Sequence, residues 1–348
     1  MRFAGRHTVL HLCCALGAVA VACVAPALAC LLLGAHGAWL VVAVGAVAPL
    51  ALIATFSWKV ARWMRTPVAF RIPLTVGQQK VGASSAHCRT GSPYTTLEVM
   101  LRVLLDGLLW RPLFRATPTA PSTGRGLGHG MGRWLWLIAF AFHASLAIVV
   151  LRHLRLFFEP VPSFVAVVER LDVATETFLP KVHVTSLVLP LALVFLLGRR
   201  LLLARVRYIS LASDYFPLLL LLAISTTGLV MRHVVRTDVA ALKNLTLGLT
   251  HATLVLSARP DTWLSMHVFL VGVLLVYFPL SKLMHMPGVF MSPTLTMANN
   301  NRERRHINVG NPQVATLHYA DYEAAFRERM IEAGLPVEPL PAGKPEAQ

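Results

Sequence analysis

Charge is scarce in this chain, and negative charge scarcer still. Only 14% of its 348 residues are Asp, Glu, Lys or Arg, 56% are hydrophobic, and the mean hydropathy is +0.62. A water-soluble globular domain carries about 25% charged residues, so an ordinary soluble fold is excluded. Acidic residues number 16 against 32 basic ones, a formal net charge of +16. Cysteine is limited to Cys13, Cys14, Cys23 and Cys30 in the first apolar stretch and Cys88 in a polar one. None has the CxxC spacing of a zinc site, and the four in the apolar stretch are expected to behave as small apolar residues.

Long hydrophobic runs fill the composition instead. Hydrocarbon offers the backbone no hydrogen-bond partner, so a crossing segment must be a helix of about 20 apolar residues. Six segments fit, at residues 9–33, 39–58, 134–157, 182–197, 215–231 and 263–284. The first is read as a retained helix rather than a cleaved leader. Basic residues crowd the stretch after the second segment, from Lys59 through Arg62, Arg65, Arg71 and Lys80 to Arg133. They recur after the fourth at Arg199, Arg200, Arg205 and Arg207. The stretch after the third carries Glu159, Glu169, Asp172 and Glu176. The positive-inside bias then predicts an all-α integral membrane protein, a six-helix bundle with both termini cytoplasmic. That placement accounts for the high pI, and a nucleic-acid partner is not expected.

Two polar stretches have their own pattern. In residues 95–114, Leu97, Met100, Leu101, Leu104, Leu105 and Leu108 recur at i, i+3, i+4 spacing, an amphipathic helix for the membrane surface or for a partner. The tail from residue 299 predicts a short helix at Asp321–Ala333 and then a Pro-rich disordered end. The domains expected are two N-terminal transmembrane helices (1–58), a basic cytoplasmic loop (59–133), a four-helix unit (134–298) and a cytoplasmic tail (299–348).

Histidines carry the chemistry. An ionisable or metal-ligating residue inside a membrane is costly and marks a candidate site. His143 and His153 lie ten residues apart in the third segment, His267 and His285 eighteen apart in the sixth. The two helices run antiparallel in this topology, so His143 pairs by level with His285 on the inner side and His153 with His267 on the outer side. Ten residues of helix rise about 15 Å and eighteen about 27 Å. Tilt, a bend at Pro279 and a place for His285 near the helix end absorb the difference. Two imidazoles at each of two levels suit two stacked b-type haems, each bis-histidine ligated and low-spin. No CxxCH attachment motif is present, so the haems would be held non-covalently. Arg152, Arg155 and Lys282 are candidates for the haem propionates, and Gly272 for close approach of a macrocycle. His183 and His233, at helix ends, are expected in interfacial hydrogen-bonded roles, and His251 falls in an outer connection.

This histidine spacing resembles the gamma subunit of respiratory nitrate reductase, a diheme cytochrome b. The chain is more closely similar to the DsrM-like cytochromes of the Dsr sulfite-reduction-associated complexes. PVAFRIPLTVGQQK (67–80), WLWLIAFAFHASLAIVVLRHLRLFFEPVP (134–162), SDYFPLLLLLAISTTGLVMRH (213–233) and FPLSKLMHMPGVFMSPT with the following ANNNR carry the likeness. The resemblance implies menaquinone as mobile partner and a cytoplasmic iron–sulfur subunit akin to heterodisulfide reductase (DsrK-like), with further membrane and periplasmic redox subunits. It implies axial pairs His143–His285 and His153–His267, and a quinone site beside the outer pair. The lysine used there by the nitrate enzymes has no counterpart at matching distance; Lys181, Glu159 and Asp172 lie on that side. The function expected is electron transfer between the quinone pool and the iron–sulfur partner in dissimilatory sulfur metabolism. Two alternatives stand beside it. One is the anchor of a nitrate reductase-like complex, which the long loop and tail disfavour. The other is a haem-free carrier using histidines as proton relays.

Overall fold

The computed structural model describes residues 2–33, 35–66, 90–115, 128–173, 182–250, 261–300 and 317–338. PVAFRIPLTVGQQK, Lys181, His251 and most of the Pro-rich end lie outside them. The described residues form helices α1 (Arg2–Leu33), α2 (Ala35–Met64), α3 (Thr96–Gly107), α4 (Arg111–Arg115), α5 (Gly128–His153) and α6 (Ser163–Asp172). They continue with α7 (Val184–Leu202), α8 (Ala204–Tyr208), α9 (Ala212–Val230), α10 (Val239–Thr250), α11 (Thr262–Tyr277), α12 (His285–Met291), α13 (Pro293–Thr296) and α14 (Tyr319–Glu332). Among these residues no strand is present, only an isolated bridge between Val173 and His183. Six helical spans are long and apolar enough to cross a membrane: Thr8–Ala29, Ala43–Met64, Trp134–Leu156, Val184–Leu202, Ala212–Val235 and Thr262–Leu280. The protein is a multi-pass integral membrane protein.

Packing follows a chain of neighbours: α5 lies on α7, α7 on α9, α9 on α11 and α1, and α11 on α2. Two buried clusters hold it. Ala15, Val19 and Ala22 of α1 meet Tyr215, Leu219 and Leu220 of α9 and Leu270 of α11. Phe142 of α5 meets Leu189, Ala192 and Leu193 of α7 and Leu221 of α9. Leu10, Val21, Leu31, Leu50 and Leu191 stand exposed on the outside, which suits a hydrocarbon solvent. Lipid gives apolar side chains little reason to leave it, so close backbone approach has to supply the contact. Gly272 of α11 is such a place: a Cβ there would stand 2.9 Å from Val44 Cγ1 and 3.6 Å from Ala48 Cβ, both on α2. Gly272 therefore serves the α2–α11 contact, which corrects the expectation of a glycine beside a macrocycle.

The sixth apolar segment is not one helix. α11 stops at Tyr277, short 3-10 turns cover Phe278–Leu280 and Lys282–Met284, and Ser281 between them is extended at φ −113°, ψ −179°. Pro279 has no N–H to donate and its ring crowds the preceding turn, so the helix ends rather than bends. His285 becomes the first residue of α12. The amphipathic segment is likewise divided, between α3 and α4. Thr95 and Glu98 form a capping box at the start of α3, and Trp110, at φ 46°, ends the run before α4. α6 and α10, unforeseen in the connections after the third and fifth segments, lie at the His153 end. There the Thr246 hydroxyl of α10 donates to Leu156 O and Lys243 pairs with Glu159.

Candidate functional site

α5 places His143 and His153 by a shared local device. Each Nδ1 lies 2.7 Å from the carbonyl oxygen four residues earlier, Ala139 O for His143 and Val149 O for His153. A carbonyl can only accept, so Nδ1 is the protonated nitrogen and Nε2 keeps its lone pair. His285 repeats this from the turn before α12, with Nδ1 3.0 Å from Lys282 O. His267 reaches the same state through a side chain. The Thr227 hydroxyl spends its hydrogen on Ile224 O at 2.9 Å and therefore accepts from His267 Nδ1 at 2.8 Å. A Cβ at Gly228 would come within 3.4 Å of the His267 ring, so the neighbouring glycine leaves room for it. All four imidazoles have Nδ1 engaged, the arrangement in which a donated Nδ1–H orients a metal-binding histidine.

One of the expected pairs has its rings close together. The His143 and His285 rings have centroids 6.1 Å apart and planes 89° apart. With a metal–nitrogen bond of about 2.0 Å and the ring centre about 1.1 Å beyond its nitrogen, imidazoles on opposite sides of one metal ion have centres about 6.2 Å apart. The His143–His285 separation is close to that spacing. Among the described residues no group of three or more His, Cys, Asp or Glu could hold a metal ion. A macrocycle that fills the equatorial positions asks only two ligands of the protein.

The three cations expected near the histidines all hold carboxylates of the chain. Arg152 Nη1 lies 2.7 Å from Asp172 Oδ2, Arg155 Nη1 2.6 Å from Glu169 Oε1, and Lys282 Nζ 2.7 Å from Asp214 Oδ1. Asp172 is buried and also accepts from Thr185 N and Thr185 Oγ1, so it anchors the start of α7 to α5. Arg152 Nε is buried without a partner among the described residues. Glu159 is spent on Lys243. His183 is 2% exposed, with its Nε2 3.8 Å from Glu169 and no hydrogen bond to its ring among the described residues. This differs from the hydrogen-bonded role expected, because as N-cap of α7 it is drawn under Val173 by a backbone bridge. His233 is exposed in the π-turn after α9.

Sequence reasoning missed three neighbours of the histidines. Thr227 and Gly228 sit forty residues upstream of His267, and only packing of α9 on α11 brings them there. Trp110 stacks on His143, with centroids 4.6 Å apart, and on Phe140 edge-on at 5.8 Å. Its signal would have been an aromatic residue at the break of an amphipathic helix.

Six membrane-spanning helices, with His143 and His285 brought to ring distance at one end, define a multi-pass membrane protein with histidines placed inside the bundle. Comparison with known proteins gives the family. The chain is 39% identical over 280 residues to the Hdr-like menaquinol oxidoreductase cytochrome b-like subunit of Archaeoglobus fulgidus, covering 77% of this chain and 83% of that protein. It is 37% identical over 268 residues to the same-named subunit of Archaeoglobus profundus, covering 73% and 77%. The chain belongs to the family of Hdr-like menaquinol oxidoreductase cytochrome b-like subunits. No protein-family model and no solved structure matches it.

Proposed function

We propose that this protein is a diheme b-type cytochrome that passes electrons from menaquinol to an iron–sulfur subunit on the cytoplasmic side. His143 with His285 would ligate the inner haem, His153 with His267 the outer one. The observation that carries the reading is the 6.1 Å separation of the His143 and His285 rings, joined to four Nδ1 atoms each engaged by an acceptor. Menaquinol and a heterodisulfide reductase-like partner are supported by the names of the Archaeoglobus relatives. The narrower identity as a DsrM-like subunit, with a DsrK-like partner, periplasmic redox subunits and sulfur metabolism, rests on the motif resemblance.

Haem, when bound, would supply reversible one-electron chemistry, and His143 with His285 and His153 with His267 are the residues that would hold it. The chain's own residues do the rest. Ala139 O, Val149 O, Thr227 Oγ1 and Lys282 O hold the imidazoles in one tautomer. α7 and α9 fill the space between the histidine-bearing helices with Leu189, Leu193 and Leu221, which keeps water from the path. Asp172 and Asp214 balance Arg152 and Lys282 beside the pairs, so charge at either end of the bundle is compensated within the protein. Arg152, Arg155 and Lys282 remain the proposed propionate contacts, each able to share a proton donor beyond its ion pair.

Reduced-minus-oxidised difference spectra of purified full-length protein, with haem quantification, test this reading. A b-type α band and two haems per chain are expected, falling to one in His143→Ala or His285→Ala and to the other in His153→Ala or His267→Ala. Haem-free protein from cells supplied with haem precursor would overturn the proposal.

A further inference from the structure

We propose that α3 lies in the membrane interface, with its Leu97, Met100, Leu101, Leu104 and Leu108 stripe inserted among lipid chains. The level of the helix is fixed by α5. Trp136, two residues into the span that begins at Trp134, donates from Nε1 to Leu109 O at 2.7 Å. That holds the end of α3 beside the first turn of the α5 span. Trp110 goes deeper, to stack on His143, nine residues into the span. α3 therefore ends level with the start of the α5 span, and its other end is held at the same end of the bundle, where Asn299 N donates to Pro93 O and Asn299 Nδ2 to Ser92 Oγ at 2.8 Å.

Charge on α3 is turned away from its outer face. Glu98 is used in the capping box. Arg102, 3% exposed, pairs with Asp106 at 3.6 Å, and Arg111 pairs with the same carboxylate at 2.7 Å. What remains outside is apolar, with Leu97 77% and Leu104 53% exposed. The stripe runs on through the exposed Leu109 and Phe114, whose ring meets Trp136 edge-on at 5.2 Å, to the exposed Trp134 of the α5 span. A surface made to bind protein from water carries a polar rim. This one merges with the lipid-facing side of the bundle, as an interfacial amphipathic helix does. Because its charges are internally paired, its insertion depends on apolar contact and not on anionic headgroups.

The test uses the full chain in nanodiscs, with the five native cysteines replaced by alanine and a bimane fluorophore on Leu104→Cys, on Met100→Cys as a second site, or on Glu328→Cys of α14 as the aqueous reference. Brominated phosphatidylcholine is expected to quench the α3 labels several-fold more than the reference, and iodide the reverse. Adding anionic phosphatidylglycerol should leave the pattern unchanged. Iodide quenching of both α3 labels at the level of the reference would overturn the proposal. So would protection of both labels from both quenchers, which would mean that protein covers the stripe.

Discussion

At the scale of single residues, the tautomer of each imidazole is the decisive feature. Three of the four histidines use a backbone carbonyl alone, which no substitution of a neighbour can remove. His267 adds a side chain, Thr227, to the nearby Ile224 backbone, and this singles out Thr227. Thr227→Val keeps the shape and loses the acceptor, a net cost on the order of 1 kcal/mol for one hydrogen bond and about 10–100-fold in metal affinity for an outer-sphere partner. We expect this variant to weaken retention of one haem and shift its potential, with Thr227→Ser restoring both; redox titration checks it. His183 makes a separate prediction. Burial, with Arg152 and Arg232 nearby, lowers its pKa from 6.5 to about 4 against the opposing carboxylates Asp172 and Glu169. Between those values the unfolded chain binds the proton that the folded chain refuses, so stability rises with pH across that window and is lost on acidification. Thermal melts from pH 4 to 7.5 should show this slope in the wild type and a shallower one in His183→Leu.

At the scale of elements, the contact between α2 and α11 is the one most exposed to substitution. Val44 already stands where a Gly272 side chain would go, and Gly45 mirrors it, with a would-be Cβ 3.0 Å from Val268 Cγ1. Gly272→Val must force the helices apart, at a cost typical of overpacking, about 1–3 kcal/mol. Melting temperature in detergent should fall, while the His143 side of the bundle, built on α7, keeps its spectrum. The break at Pro279 works in the other direction. Ending α11 there frees the chain to carry His285 to His143 although eighteen residues separate it from His267 and only ten separate the partners. A straight helix would overshoot.

For the whole molecule, orientation is the outstanding expectation. Basic residues after α2 and after α7 argue for cytoplasmic termini, and an even number of spans requires both on one side. Fusions of green fluorescent protein to the C-terminus should fluoresce, and alkaline phosphatase fused there should be inactive. A phosphatase-active C-terminal fusion would reverse the assignment of inner and outer pairs while leaving the pairs themselves intact.

Six spans, their approximate limits and the four histidines were legible in the linear pattern, because hydrocarbon imposes length and polarity on each segment independently of its neighbours. The approach of His143 to His285 was legible as well, since antiparallel helices order residues by level. Other features needed the folded chain. Thr227, Gly228 and Trp110 reach the histidines from helices far off in sequence. Gly272 packs on α2, and Asp172 and Asp214 take the cations assigned to other work. The physical reason is common to all of them: a solvent acts on one segment at a time, whereas a packing partner or an ion pair exists only once two segments meet.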